Sequence, residues 1–537
     1  VSRTRIAATV IGLAGALAAS QAQAQSASNS EQEIALLKQQ LKMLEQKLDK
    51  LQSQTAANTA ATAKAKAEAK AEAKAEARSE AKAAIASANA AIPVKAPAPP
   101  SGVVVTMPNN RPTICTADEQ NCVAITSRVH WDVGGYNYRP NTASTSPQQL
   151  DSGENLRRAR IGIVGKFFGD WNYALIYDFG GSADGFGGAA PGSLPGGGTS
   201  GVENAYLSYT GLKPFGGKMA IEAGIMDLAW TLDESTSSND ILFMERASVG
   251  LIAQNIAAGD LRSAVGTRWW NDQLWMGAYV TGPTTGQIHS ASSVSPPGTS
   301  EQYGAAVRVA GNPINGNGYS LHFGADAEWL IQPPRNLVTQ AQTLTLSDRP
   351  ELRIDPTTLI STGAIANVSG AQVYGVEAAG TYGPLIAQGE YYWFNVDRTA
   401  NTGLPPFGAP SLKFDGGYAQ VGYALTGETR AYNPAVAAYG GIKPANPFSL
   451  TGGGWGAWEI AGRVSMMNLN DQLATAAGIA GGRQTIYTAA LNWYVNNNVR
   501  FMLNYLHGDI SKQASSTSAV NAGSKFDAIA MRTQVAF

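Results

Sequence analysis

Across the stretch from Phe526 to Phe537, Ile529, Met531, Val535 and Phe537 fall on one side of an extended strand, while Ala530, Arg532 and Gln534 fall on the other. A strand with one greasy and one wet face belongs at a boundary between lipid and water. Beyond a short apolar run near residue 10, no stretch approaches the about 20 uninterrupted apolar residues that cross a bilayer as a helix. Any membrane-embedded part must therefore be β and must close on itself, because only helices and closed barrels satisfy their backbone hydrogen bonds in lipid. The expectation is an all-β transmembrane barrel.

The opening residues suit an exported chain. Arg3 and Arg5 precede an apolar stretch from Ile6 to Leu17, and Ala22-Gln23-Ala24 supplies a small-x-small cleavage pattern, so residues 1–24 read as a signal peptide. In an exported chain the cysteines Cys115 and Cys122 are expected to form a disulfide closing a short loop. A metal site would need more ligands nearby, so neither metal nor cofactor is expected. The net charge of −1 argues against a nucleic-acid partner, and 59 Gly, 20 Tyr and 11 Trp suit a large β-protein. His130, His289, His322 and His507 are scattered and pair with no nucleophile at a recognisable spacing, so an enzyme is not expected.

Residues 25–91 read as helix. Ile34, Leu41 and Leu48 at a, with Leu37, Leu44 and Leu51 at d, form a coiled-coil seam that needs partner chains; a trimer is compatible with it. From Ala63 to Ala91 alanine alternates with rows of like charge, which reads equally as a weakly cored extension of that coil or as a solvated, partly helical spacer. Residues 92–127, with Pro93, Pro97, Pro99, Pro100, Pro108 and Pro112, form a linker. The barrel is expected over 128–537.

Within it, short turns such as Gly169-Asp170, Asn271-Asp272 and Gly383-Pro384 alternate with long connections, as periplasmic turns alternate with extracellular loops. The intervening strands number about 16 and run antiparallel. One connection breaks the rule: Gly427 to Gly454 should be a short turn and is long, which leaves a periplasmic excursion or a miscounted strand. Alternation sends Arg158, Arg160, Lys166, Lys218, Arg262, Arg268, Arg308, Arg463, Arg500 and Arg532 into the lumen with Glu390 and Glu459. Arg128, Asp326, Glu328 and Glu377 share that side. A barrel of this size holds an aqueous channel. The slight excess of basic residues predicts a weak anion preference, against the alternative that most of these charges pair and brace the wall. The third long connection, Asp227 to Asp260, is the candidate constriction loop, with Asp233, Glu234, Glu245 and Arg246 as its charged residues.

Several separated motifs carry a resemblance. Leu156-Arg157-Arg158-Ala159-Arg160-Ile161-Gly162, Gly165-Lys166-Phe167-Phe168-Gly169-Asp170-Trp171, Phe243-Met244-Glu245-Arg246 and Gly456-Ala457-Trp458-Glu459-Ile460-Ala461-Gly462-Arg463 resemble the phosphate- and pyrophosphate-selective porins of Gram-negative outer membranes. The aromatic carboxy-terminus is similar to that of outer-membrane barrels in general. The resemblance implies a homotrimer of 16-stranded barrels in the bacterial outer membrane, each with an inward loop and an arginine-lined path for small anions or other hydrophilic solutes. The segment Gly224-Ile225-Met226-Asp227-Leu228-Ala229-Trp230 lacks the lysines that phosphate-specific members carry, which favours a broader pore. The helical region is then expected in the periplasm. A competing reading makes the barrel a structural anchor for that coiled coil, with peptidoglycan as its partner.

Overall fold

The computed structural model describes Lys42 and residues 102–537 apart from 142–148, 181–200, 260–261, 285–299, 317, 337–338, 400–410 and 519. The expected signal peptide, the heptad positions, the alanine-rich segment and residues 92–101 of the linker lie outside the described residues.

Sixteen antiparallel strands close into one barrel. They are β1 (Cys122–Pro140), β2 (Gly153–Phe167), β3 (Trp171–Asp178), β4 (Gly201–Leu212), β5 (Lys218–Met226), β6 (Arg262–Trp270), β7 (Leu274–Thr284) and β8 (Tyr303–Gly316). The second half runs β9 (Tyr319–Gln332), β10 (Val368–Tyr382), β11 (Leu385–Arg398), β12 (Leu412–Ala424), β13 (Ala457–Asp471), β14 (Ile479–Tyr494), β15 (Val499–Ser511) and β16 (Ser524–Ala536). Closure is the pairing of β16 with β1, in register from Ser524↔Pro140 to Ala536↔Arg128. A barrel has no free edge, so every strand satisfies both of its backbone sides. The first strand begins at Cys122, six residues before Arg128, and the preceding segment is a hairpin of Val103–Thr106 with Thr113–Thr116 that extends β1 beyond the wall. A disulfide joins Cys115 to Cys122 across that extension.

The faces follow alternation. On β16, Ile529, Met531 and Val535 are exposed on the outside, and Ala530, Arg532 and Gln534 are buried within. On β13, Ile460 and Met466 face out while Glu459, Arg463 and Ser465 are buried. Trp458, Trp493 and Phe501 stack on the outer face at centroid distances of 5.3 and 5.6 Å, near the short-turn end, as an interfacial aromatic belt does. Alternation fails where a strand bulges: the register slips between His130 and Trp131, so Arg157 and Arg158 are both buried inside.

The short connections lie at one end and the long ones at the other. Between β10 and β11 only Gly383 and Pro384 intervene, and Gly383 has φ of +57°, a conformation that favours glycine. The sixth connection at this end, 425–456, keeps the strand count at 16, so the irregularity is not a miscounted strand. It folds back into the mouth of the barrel, carrying a small hairpin of Tyr432–Asn433 with Ala438–Tyr439.

Candidate permeation pathway

Among the described residues, three connections enter the lumen and shape what remains open. The third long one, between β5 and β6, forms helix α1 (Leu232–Ser235) and helix α2 (Ser248–Gln254). Thr231 caps α1, its hydroxyl accepting from the Glu234 amide at 3.1 Å. The amides that open α1 point at the far wall: Leu232 N–H donates to Glu377 and Glu390, each at 2.8 Å, and Asp233 N–H to Glu390 at 3.2 Å.

From there the loop crosses to the opposite wall. Arg128 donates to the hydroxyls of Ser238 at 2.6 Å and Ser237 at 3.1 Å, and Arg500 donates to the carbonyls of Ile241 at 2.9 Å and Asn239 at 3.2 Å. Asn492 takes the Leu242 carbonyl at 2.9 Å. Glu245 is the densest junction. It accepts a bidentate pair from Arg157 at 2.8 and 3.0 Å and a further bond from Arg532 at 2.7 Å, with Arg158 and Arg353 each 3.9 Å away. Burial alone would raise the Glu245 carboxyl, but Arg157, Arg532 and Arg158 together hold it well below the usual carboxylate range. Arg246 turns inward to its own loop, donating to the carbonyls of Asp233, Glu234 and Thr236 and lying 3.4 Å from the Glu234 carboxylate.

The fifth long connection, 333–367, packs onto α2. Leu346, Leu352, Leu359 and Ile360 share a cluster with Val249 and Ile252, and Glu351 accepts from Arg463 at 2.6 Å and from the Ser248 amide at 3.0 Å. The sixth turn enters from the opposite end and meets Arg308, which donates to the carbonyls of Val436 at 3.0 Å and Ala437 at 2.8 Å while pairing with Glu377 at 2.8 Å.

The charges expected along the lumen therefore divide. Arg158, Arg308, Arg463, Arg532, Glu390 and Glu459 are buried against the entering loops or their own partners. Arg262 closes the end of α2's trailing turn through the carbonyls of Ala258 and Asn255, and Arg268 joins Glu222 at 3.2 Å to the Ala435 carbonyl at 2.8 Å. Lys166 and Lys218 sit at the short-turn ends of β2 and β5, away from the loop. Asp233, Glu234, Glu245 and Arg246 are all buried within the loop's own packing.

A vestibule of about 540 Å³ stays open between the loop tip and the wall of β1, β2, β15 and β16. Arg111, Arg128, Arg160, Arg500 and Lys443 line it against Asp227 and Asp240, with Ser237, Asn239 and Asn204 between. Arg160 is neutralised by Asp178 at 2.7 Å and by Glu203. Arg128 holds only serine hydroxyls, and Arg500 keeps its Nε and one Nη without a protein hydrogen-bond partner while its guanidinium lies 4.6 Å over the Tyr494 ring. The positive charge facing this space is thus incompletely compensated. Arg157, Arg353, Glu351 and Arg430 escaped the sequence reading because the first sits on a bulge and the others on connections, where alternation carries no information. The paired arginines Arg157-Arg158 were the only available signal for a bulge there.

Comparison with known proteins agrees with this architecture. Residues 123–537 match the family model described as phosphate-selective porin O and P. The chain is 24% identical to Porin O of Pseudomonas aeruginosa over 431 residues, covering 74% of this chain and 85% of that protein. It is 37% identical over 220 residues to an uncharacterised protein of Caulobacter vibrioides, a match spanning 40% of each. Among solved structures, OmpT of Vibrio cholerae superposes with a TM-score of 0.43 at 12% identity, covering 78% of this chain and 98% of that one. With the family model spanning the entire barrel, the chain belongs to the phosphate-selective porin O and P family: it is an outer-membrane porin, a barrel channel and not an enzyme.

Proposed function

We propose that the chain lets small hydrophilic anions diffuse passively across the outer membrane, phosphate-like anions among them, through the gap between the third-loop tip and the β1–β2 and β15–β16 wall. The observation that carries this reading is the vestibule, which the half-buried Arg128 and the exposed Lys443 line without an ion pair among the described residues, with Arg500 buried in the wall behind them. A positive wall in a narrow aqueous space raises the local concentration of anions and the barrier for cations. The loop's first limb, Asp227 to Trp230, holds no lysine, so a broad anion pore fits better than a tight phosphate site. The heptad spacing from Ile34 to Leu51 is compatible with a trimer whose N-terminal segment lies in the periplasm.

Reversal potentials across planar bilayers under a salt gradient, with chloride and then phosphate, test the proposal. Stepwise conductance with a reversal potential of anionic sign is expected for both salts. Folded protein that gives no conductance, or a cationic reversal potential, removes it.

A further inference from the structure

The sixth turn has two limbs of opposite character. The first carries Glu428, Arg430 and Lys443, whereas from Pro444 to Trp458 there is no charged side chain. The tip of this second limb exposes Leu450 at 91% and Trp455 at 74%, a leucine and an indole that water solvates poorly. Its backbone, by contrast, is largely paired. Phe448 N–H donates to the Val495 carbonyl at 2.8 Å, Ser449 N–H to the Gly454 carbonyl at 3.0 Å, Gly456 N–H to the Asn446 carbonyl at 3.0 Å, and Gly452 N–H to the Ser449 hydroxyl at 2.8 Å. An apolar tip with its own amides satisfied is what a poorly hydrating surrounding demands.

The tip rests against the outward aromatic belt. Phe448 meets the Trp493 ring edge-on at 5.3 Å, and the Trp493 indole donates to the Trp455 carbonyl at 2.9 Å, so the ring stacked between Trp458 and Phe501 also holds the turn. The same device recurs at the β4–β5 turn. There Trp269, which shares the outward parity of Val265 on β6, donates its indole N–H to the Pro214 carbonyl at 2.9 Å, beside Phe215, which is 96% exposed. An indole whose N–H is taken by protein has no need of water or a headgroup for it. Both turns thus continue the lipid-facing belt past the ends of the strands.

We infer that the outer limb of the sixth turn, led by Leu450 and Trp455, is seated in the leaflet at the short-turn end, with the headgroup–acyl boundary of phospholipid as its partner. Continuity with the belt identifies that occupant. The tip lies on the outward face that Trp493 shares with the exposed Leu491, and its uncharged run brings no ion into the boundary. Apolar segments of this kind sit about 5–10 Å into the boundary region. The inference concerns the outer surface alone and holds whichever solute the lumen passes.

Full-length protein reconstituted into vesicles of phosphatidylethanolamine and phosphatidylglycerol tests this. Leu450→Cys labelled with the polarity-sensitive fluorophore NBD reports the tip, and Asn497→Cys, exposed in the β14–β15 turn at the vestibule mouth, reports water. Cys115 and Cys122 are joined to each other and take no label under oxidising conditions. The label at Leu450→Cys should emit at shorter wavelength than the label at Asn497→Cys, and iodide should quench it at least about threefold less. Phospholipid carrying a nitroxide high on its acyl chain should quench it strongly, and phospholipid with the nitroxide at the chain end should quench it less. If Leu450→Cys does not fold, Trp455→Cys carries the same label. Equal iodide quenching at the two sites overturns the inference. So does a label shielded from iodide and from both nitroxide lipids, which would place the tip against protein, such as a second copy of the chain.

Discussion

The two sides of the lumen start from similar sequence and end differently. On the β1–β2 and β15–β16 side the loop tip leaves an open space, lined by the half-buried Arg128 and the exposed Lys443. On the β8–β11 side Arg308, Asp326, Glu377 and Glu390 occupy equally inward positions, yet the loop and the sixth turn cover them. Asp326 is 6% exposed with neither carboxylate oxygen partnered by protein. An inward charge is therefore a statement about the wall, not about permeation. What it does depends on which connection lies across it, so counting basic and acidic residues over the whole lumen says little about selectivity.

The largest effect should come from breaking the junction that holds the loop between the two sides. Glu245→Gln leaves Arg157, Arg158 and Arg532 facing one another in a dry site, and loss of one partner of a buried pair costs about 3–5 kcal/mol. A lowered thermal unfolding midpoint in detergent, with open-channel current noise, is the expected result. An unchanged midpoint would mean the loop is seated elsewhere.

Selectivity should then separate the two sides. Arg128→Gln with Lys443→Gln removes vestibule charge, and a unit charge at about 8 Å through water is worth roughly 0.5 kcal/mol, or about twofold in permeability ratio. The chloride-to-potassium ratio should fall accordingly, most visibly at low salt. A fall that is independent of ionic strength would point to altered structure and not to the lost charge.

Acidification should sharpen the same contrast by a smaller amount. Burial holds the Asp240 carboxyl above the usual range, although Arg430, Arg500 and Arg128 pull it down, so it loses its charge early as pH falls. Anion preference should rise on acidification before an ordinary carboxylate titrates, and Asp240→Asn should abolish the rise. The Glu245 junction behaves oppositely. Its folded value is depressed, so its stabilisation is present above the unfolded carboxylate pKa of about 4.3 and is lost only as pH falls through the lower folded value. The loop should hold throughout that titration. The smallest effect is a control: Asp326→Asn, on the covered side, should leave the reversal potential where it was, and a shift matching that of the vestibule variant would erase the distinction between the sides.

Alternating hydrophobicity and turn spacing made the barrel legible, because lipid outside and polar groups inside impose a period of two that each strand must carry in its own residues. Met531 against Arg532 or Ile460 against Glu459 can be assigned without coordinates for that reason. The in-folded third loop was legible by length and position. Which charges it consumes was not, since Glu245 finds Arg157 across 88 residues and Arg532 across 287.

The sequence by itself determined a closed antiparallel wall of about 16 strands, its two faces and the loop that enters it, because those are local consequences of backbone satisfaction in lipid. Only the tertiary structure decided that the sixth turn folds inward, that a bulge brings Arg157 beside Arg158, and that Arg128 and Lys443 line open space while Arg308 is covered. Contacts between connections follow from how distant segments fill one shared volume, and no period along the chain records that.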